Sequence, residues 1–71
     1  MRDMQFLEQY QYESNGTVYE CFKFLDLLSL KILIGINLTQ EELQKGKVYK
    51  GNVTVKSYGG QDKIRVTEIK L

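Results

Sequence analysis

The sequence predicts a mainly β protein: a five-stranded Greek-key barrel with one short helix between strands 3 and 4, formed as a single domain over residues 1–71. Three observations carry that expectation. Residues 45–71, KGKVYKGNVTVKSYGGQDKIRVTEIKL, read as two alternating strands joined across Tyr58-Gly59-Gly60-Gln61-Asp62. Ser14-Asn15-Gly16 separates two aromatic-rich extended segments, and Thr39-Gln40-Glu41-Glu42 has the spacing of a capping box. Period-two alternation marks a strand with two distinct faces. Residues that tolerate positive φ mark hairpin turns, and Thr followed three residues later by Glu marks a helix start.

Within Met4 to Glu13, strict alternation puts Phe6, Glu8, Tyr10 and Tyr12 on one face and Gln5, Leu7, Gln9 and Gln11 on the other. Thr17 to Leu25 is the return strand, with Val18, Phe22 and Phe24 facing one way and Tyr19, Cys21, Lys23 and Leu25 the other. Both faces are mixed, which suits a curved strand passing between sheet layers. Asp26 to Ser29 carries two signals, since Phe24, Leu27, Leu28 and Leu30 also fall near helical spacing. A strand is favoured because Leu30, Ile32, Ile34, Ile36 and Leu38 alternate with Lys31, Leu33, Gly35 and Asn37, and branched side chains suit a sheet. This run is the expected central strand of the core, with a bulge or bend at Gly35.

The capping box predicts one or two helical turns over Gln40 to Gln44, stopped by Gly46. In the last hairpin Tyr49, Gly51, Val53 and Val55 are expected to face inward, and Lys50, Asn52, Thr54, Lys56 and Tyr58 outward. Ile64 and Val66 set one phase while Ile69 and Leu71 set the other, so a bulge is expected near Thr67-Glu68. Three strands, a capped helical turn and two strands is the element order of an OB-type barrel; an SH3-like small barrel or an open meander with one helix is the alternative.

With 42% apolar and 27% charged residues the chain is too hydrophobic for a disordered tail, although 71 residues allow a thin core. Its net charge of +1 hides an asymmetry. Residues 45–71 hold seven cations against two carboxylates, whereas residues 1–44 hold three against seven. A basic C-terminal sheet points to a polyanionic partner. The single Cys21 excludes an internal disulfide, and without histidine the usual zinc sites cannot be built. Cys21 is expected at a half-buried strand position as a small hydrophobe. No nucleophile elbow, phosphate loop or outstanding carboxylate pair is present, so neither catalysis nor a cofactor is expected. No signal-peptide pattern opens the chain, and the apolar run Leu25 to Leu38 is too short and too interrupted to cross a bilayer. The expectation is a cytoplasmic protein without a membrane partner.

Residues 30–71, with LKILIGINLTQEEL followed by GKVYKGNVTVKSYGGQDKIRVTEIKL, resemble the small OB-fold single-stranded DNA-binding proteins of phages and plasmids, filamentous-phage ones included. The likeness is one of pattern over the last three-fifths of the chain. It rests on an aliphatic strand ending in Leu38-Thr39, a short excursion, Gly46 and Tyr49 at the entry to the next strand, a glycine hairpin and a terminal alternating strand. The resemblance implies a protein that coats single-stranded DNA as dimers or higher assemblies, through aromatic and basic residues on exposed strands and hairpin tips.

Single-strand binding requires cations for phosphates and flat side chains on which bases stack. Lys50, Asn52, Lys56 and Tyr58, beside Lys63 and Arg65, combine the two; Tyr10, Tyr12, Tyr19 and Lys23 on the first hairpin join them if exposed. The same lysines would equally serve as a solvated sheet face that discourages edge pairing, and the tyrosines as half-buried core. The function expected is non-catalytic binding of single-stranded DNA, or RNA, by a phage or mobile-element protein. The alternative is a protein-binding module acting through apolar surface left at Leu7, Leu25, Leu27, Leu28 and Leu33. A homo-oligomer is expected under either.

Overall fold

The computed structural model describes the backbone of residues 1–71 and every side chain except that of Tyr58. The described residues form β1 (Arg2–Ser14), β2 (Thr17–Asp26), β3 (Ile32–Ile36), β4 (Val48–Tyr58) and β5 (Gln61–Lys70). Their hydrogen-bonded order is β1-β2-β3-β5-β4, and the sheet closes on itself because β4 returns to β1, pairing Tyr49 with Met4 and Gly51 with Arg2. Every pairing is antiparallel except β3 with β5, which run parallel.

Both hairpins turn on two residues. Asn15 (φ 51°) and Gly16 (φ 78°) join Ser14 to Thr17, and Gly59 (φ 56°) and Gly60 (φ 83°) join Tyr58 to Gln61. Positive φ at both central positions gives a twist that matches the flanking strands. The second turn is tighter than the five-residue connection expected, since Tyr58, Gln61 and Asp62 belong to the strands.

Phe22, Phe24, Phe6, Met4, Leu33, Leu43, Tyr49 and Val66 fill the interior. The Phe6 ring meets Phe24 edge-on at 5.6 Å and Phe22 at 6.4 Å. Truncating any one of these buried phenylalanines to alanine should cost about 3–5 kcal/mol. Phe6 shares its inward phase with Met4, and directly after it β1 bulges at Leu7: the register passes from Phe6 opposite Phe24 to Glu8 opposite Lys23. Phe6 therefore points inward while Glu8, Tyr10 and Tyr12 point outward, and the single face expected for the four does not exist. A second bulge lies at Thr67, where Asn52 opposite Glu68 is followed by Val53 opposite Val66. That shift was legible in the phase change along β5, and it turns both Val66 and Ile69 toward the core.

Several expectations are corrected. The connection between β3 and β4 contains no helix among the described residues. Thr39 Oγ1 accepts from the Glu41 amide at 3.1 Å, and the capping goes no further. Instead, Leu43 is buried over the barrel, the Tyr49 hydroxyl accepts from the Gln44 amide at 3.0 Å, and Gly46 and Lys47 pair with the backbone of Phe6 at 2.8 and 2.9 Å. These tertiary anchors prevail over one helical turn, whose nucleation is unfavourable.

β3 begins at Ile32 rather than Leu30, and its phase is opposite to the expected one. Leu33 and Gly35 lie inward opposite Phe24 and Phe22, while Ile32 and Ile36 are 53% and 37% exposed. Gly35 marks no bulge. It marks a close approach: a Cβ there would lie 2.5 Å from Leu38 Cδ1 and 3.0 Å from the Val66 carbonyl oxygen. Val55, expected inside, is 54% exposed because β4 runs on past the barrel toward its tip.

Beyond Asp26 the chain turns instead of continuing as strand or helix. The Asp26 carboxylate is fully buried and accepts from Arg2 Nη1 at 2.7 Å, Ser29 Oγ at 2.8 Å and the Leu28 amide at 3.1 Å. Burial pushes this carboxyl up, and the hydrogen bonds from Ser29, Leu28 and Arg2 outweigh it, so its pKa lies below the ordinary value. Leu27, Leu28 and Leu30 are thrown outward, at 42%, 79% and 71% exposure, whereas Leu33 is buried. No helix among the described residues is long and apolar enough to cross a membrane.

Candidate nucleic-acid interface

Residues directly opposite in an antiparallel pair share a face. Because Phe22 is core, its partner Gln9 lies on the inner side, and the alternate pairs Tyr10–Cys21 and Tyr12–Tyr19 lie outside with Glu8–Lys23. The outer row continues across β3 through Cys21–Ile36 and Lys23–Ile34, passes to β5 at Ile34–Arg65, and reaches β4 at Arg65–Thr54 and Lys63–Lys56. The closed sheet thus carries an outer strip whose registered line is Glu8–Lys23–Ile34–Arg65–Thr54, with the tyrosine pairs on one side of that line, toward the first hairpin's tip, and Lys63–Lys56 on the other. An open groove of about 420 Å³ lies at its cationic end, lined by Ile36, Thr54, Lys56, Lys63, Arg65, Val66 and Thr67.

The strip's side chains are accessible in graded fashion. Tyr12 is 57% exposed, Tyr10 is 38% exposed and Tyr19 is half-buried. Cys21, expected to be half-buried, is buried on this same outer face.

Charge is distributed unevenly. Lys23 Nζ lies 2.9 Å from Glu8 Oε1 and 5.7 Å from the centre of the Tyr10 ring. The hydrogen bond and the attraction between them hold Glu8 below its ordinary pKa and Lys23 above its own. Lys56, Lys63 and Arg65 form no ion pair among the described residues. Glu20 faces away from the strip. There Gln11 and Gln9 donate to it at 2.7 and 3.0 Å and keep its pKa low.

Of the residues expected at the site, Tyr10, Tyr12, Tyr19, Lys23, Lys56, Lys63 and Arg65 all lie on the outer side of the closed sheet; the registers bring Lys23 into line with Arg65 and set the tyrosines and the Lys56–Lys63 pair on opposite sides of that line. Lys50 and Asn52 share the outward side of β4 but sit near its other end. Lys50 lies 3.5 Å from Asp3, and Asn52 donates to Glu68 at 3.1 Å. Tyr58 pairs with Gln61 through its backbone, and its side chain lies outside the described residues. Ile34, Ile36 and Thr67 were missed. The isoleucines carry a core signature in the sequence, and they are released outward only because Phe22 and Phe24 claim the interior opposite Gly35 and Leu33. Among the described residues no His, Cys, Asp and Glu side chains cluster as metal ligands.

Comparison with protein-family models, with curated proteins and with solved structures yields no match.

Proposed function

We propose that this chain is a non-catalytic single-stranded nucleic-acid-binding protein of a phage or mobile element, with the OB-type barrel as its scaffold. The observation that carries the reading is the outer strip, on which the tyrosines of β1 and β2 and the unpaired cations of β5 and β4 all point away from the core, while Glu20 and its glutamine partners lie on the other side of the first hairpin. Bases stack on Tyr10, Tyr12 and Tyr19, each stack worth about 1–3 kcal/mol, and the backbone phosphates run toward Lys56, Lys63 and Arg65. The OB assignment is supported by the strand order β1-β2-β3-β5-β4, the parallel β3–β5 seam and the closure through β1 and β4. Single-stranded DNA is the expected partner, RNA the variant of it, and the protein works in the cytoplasm, joined by further copies of itself.

Fluorescence anisotropy with oligo-dT tests this. Affinity should fall with salt by about 0.7 logarithmic units per decade for each phosphate neutralised. The double change Lys56→Glu and Lys63→Glu should weaken binding on the order of 100-fold without moving the thermal midpoint. Lys50→Glu should cost less, since Lys50 already faces Asp3. Absence of binding at low salt, or equal affinity for duplex, would remove the reading.

The exposed Leu27, Leu28 and Leu30 favour a second reading, a protein-binding module. It predicts salt-insensitive capture of one protein that Leu28→Asp abolishes, with no affinity for oligo-dT.

A further inference from the structure

We infer that Glu8 masks a phosphate subsite, its carboxylate occupying on Lys23 the place that a backbone phosphate of the nucleic acid takes. The inference rests on the proposed function and adds to it a residue that limits affinity. Lys23 stands on the outer strip beside Tyr10, so its ammonium adjoins a ring on which a base would stack. Carboxylate and phosphate offer an ammonium equivalent charged acceptor oxygens, and Glu8 Oε1 fills this position at 2.9 Å.

Two features distinguish this pair from a structural one. The first is its exposure: the side chains of Lys23 and Glu8 are 35% and 45% exposed, whereas the Asp26 carboxylate paired to Arg2 is fully buried. An exposed pair holds weakly and exchanges readily with a competing anion. The second is how Glu8 gets there. Unbroken alternation would place Glu8 on the side of Phe6, facing inward; the bulge at Leu7 re-aims it onto the outer face opposite Lys23. No other carboxylate is paired with a cation of the strip among the described residues. Glu8 therefore subtracts one cation from the tyrosine end of the strip, and a strand that binds there must displace it.

Oligo-dT titrations of Glu8→Gln against the unaltered protein test the assignment. The variant gains one phosphate contact. It should bind about eightfold more tightly at about 50 mM salt, with a salt slope steeper by about 0.7. Combining Lys23→Gln with Glu8→Gln should erase both gains. Unchanged or weaker binding by Glu8→Gln, or a gain that survives loss of Lys23, would overturn the masking. If the unaltered protein still binds and Lys56→Glu with Lys63→Glu still weakens that binding on the order of 100-fold, the proposed function would stand without the inference. Failure of the unaltered protein and Glu8→Gln alike to bind would overturn both.

Discussion

The β1–β2 and β4–β5 hairpins both close on two residues with positive φ, and both carry a register shift, at Leu7 in one and at Thr67 in the other. Their outward faces nevertheless carry different chemistry. The first presents Tyr10, Tyr12 and Tyr19 and has its lysine compensated by Glu8; the second presents Lys56, Lys63 and Arg65 with no compensating carboxylate among the described residues. Their bases differ too. The first is tied down at the buried Asp26, while the second crosses β1 at Gly51, where backbone and side chains crowd together. The same backbone device can therefore be given an aromatic or a cationic surface independently, because the outward residues of a strand are nearly free of the demands of the core.

The comparison is broken most sharply by removing the aromatic surface. Tyr12→Ala with Tyr19→Ala should lower oligo-dT affinity on the order of 100-fold, at about 1–3 kcal/mol per stacked base, and leave the salt slope unaltered. The lysine reversals on the other hairpin should instead flatten that slope. Equal slope changes in the two variants would show that the hairpins do not differ in kind.

The bases of the hairpins come next. A Cβ at Gly51 would lie 2.6 Å from Met4 Cε and 2.7 Å from the Glu68 carbonyl oxygen. Methionine can swing aside but a backbone carbonyl cannot, so Gly51→Ala should destabilise the fold by about 2 kcal/mol in urea titrations. A thermal midpoint equal to that of the unaltered chain would show that β5 yields there.

Asp26→Asn should cost somewhat less, about 1.5–2 kcal/mol, since an amide keeps part of the hydrogen bonding and loses its charge-assisted strength. This effect depends on pH. The Asp26 pKa is lowered in the folded state, so its stabilisation is fully present above the unfolded value of about 4 and is lost as pH falls through the lower folded value. The gap in stability between Asp26→Asn and the unaltered protein should narrow on acidification below about pH 4. A gap that widens would contradict the carboxylate's role.

Much of this frame was legible in the sequence because turn chemistry is local. Asn15-Gly16 and Gly59-Gly60 announce hairpins by their tolerance of positive φ, and the shift of phase between Val66 and Ile69 announces the bulge at Thr67. What escaped is decided by distant neighbours. The bulge at Leu7 leaves no phase change to read, because Phe6, Glu8, Tyr10 and Tyr12 alternate without interruption. The inner side of β3 is set by Phe22 and Phe24 on β2, against the apparent preference of its own isoleucines. The expected helix over Gln40 to Gln44 lost to Tyr49 and Phe6, which hold that connection from elsewhere in the chain. For the candidate site, the cations were legible as a charge imbalance, but their placement relative to Lys23 and the tyrosines is set by the strand order and registers.

The parallel seam between β3 and β5 is the narrowest junction in the ring. Its register joins Ile34 to Arg65 and Gly35 to Val66, whereas β1 and β4 are joined from Arg2 to Gln5. Amide exchange should therefore be quickest along this line, and the cylinder should breathe by unzipping there. The proposed polynucleotide track lies directly across it, so a bound strand would act as a suture, and occupancy would be felt as slower opening of the whole wall.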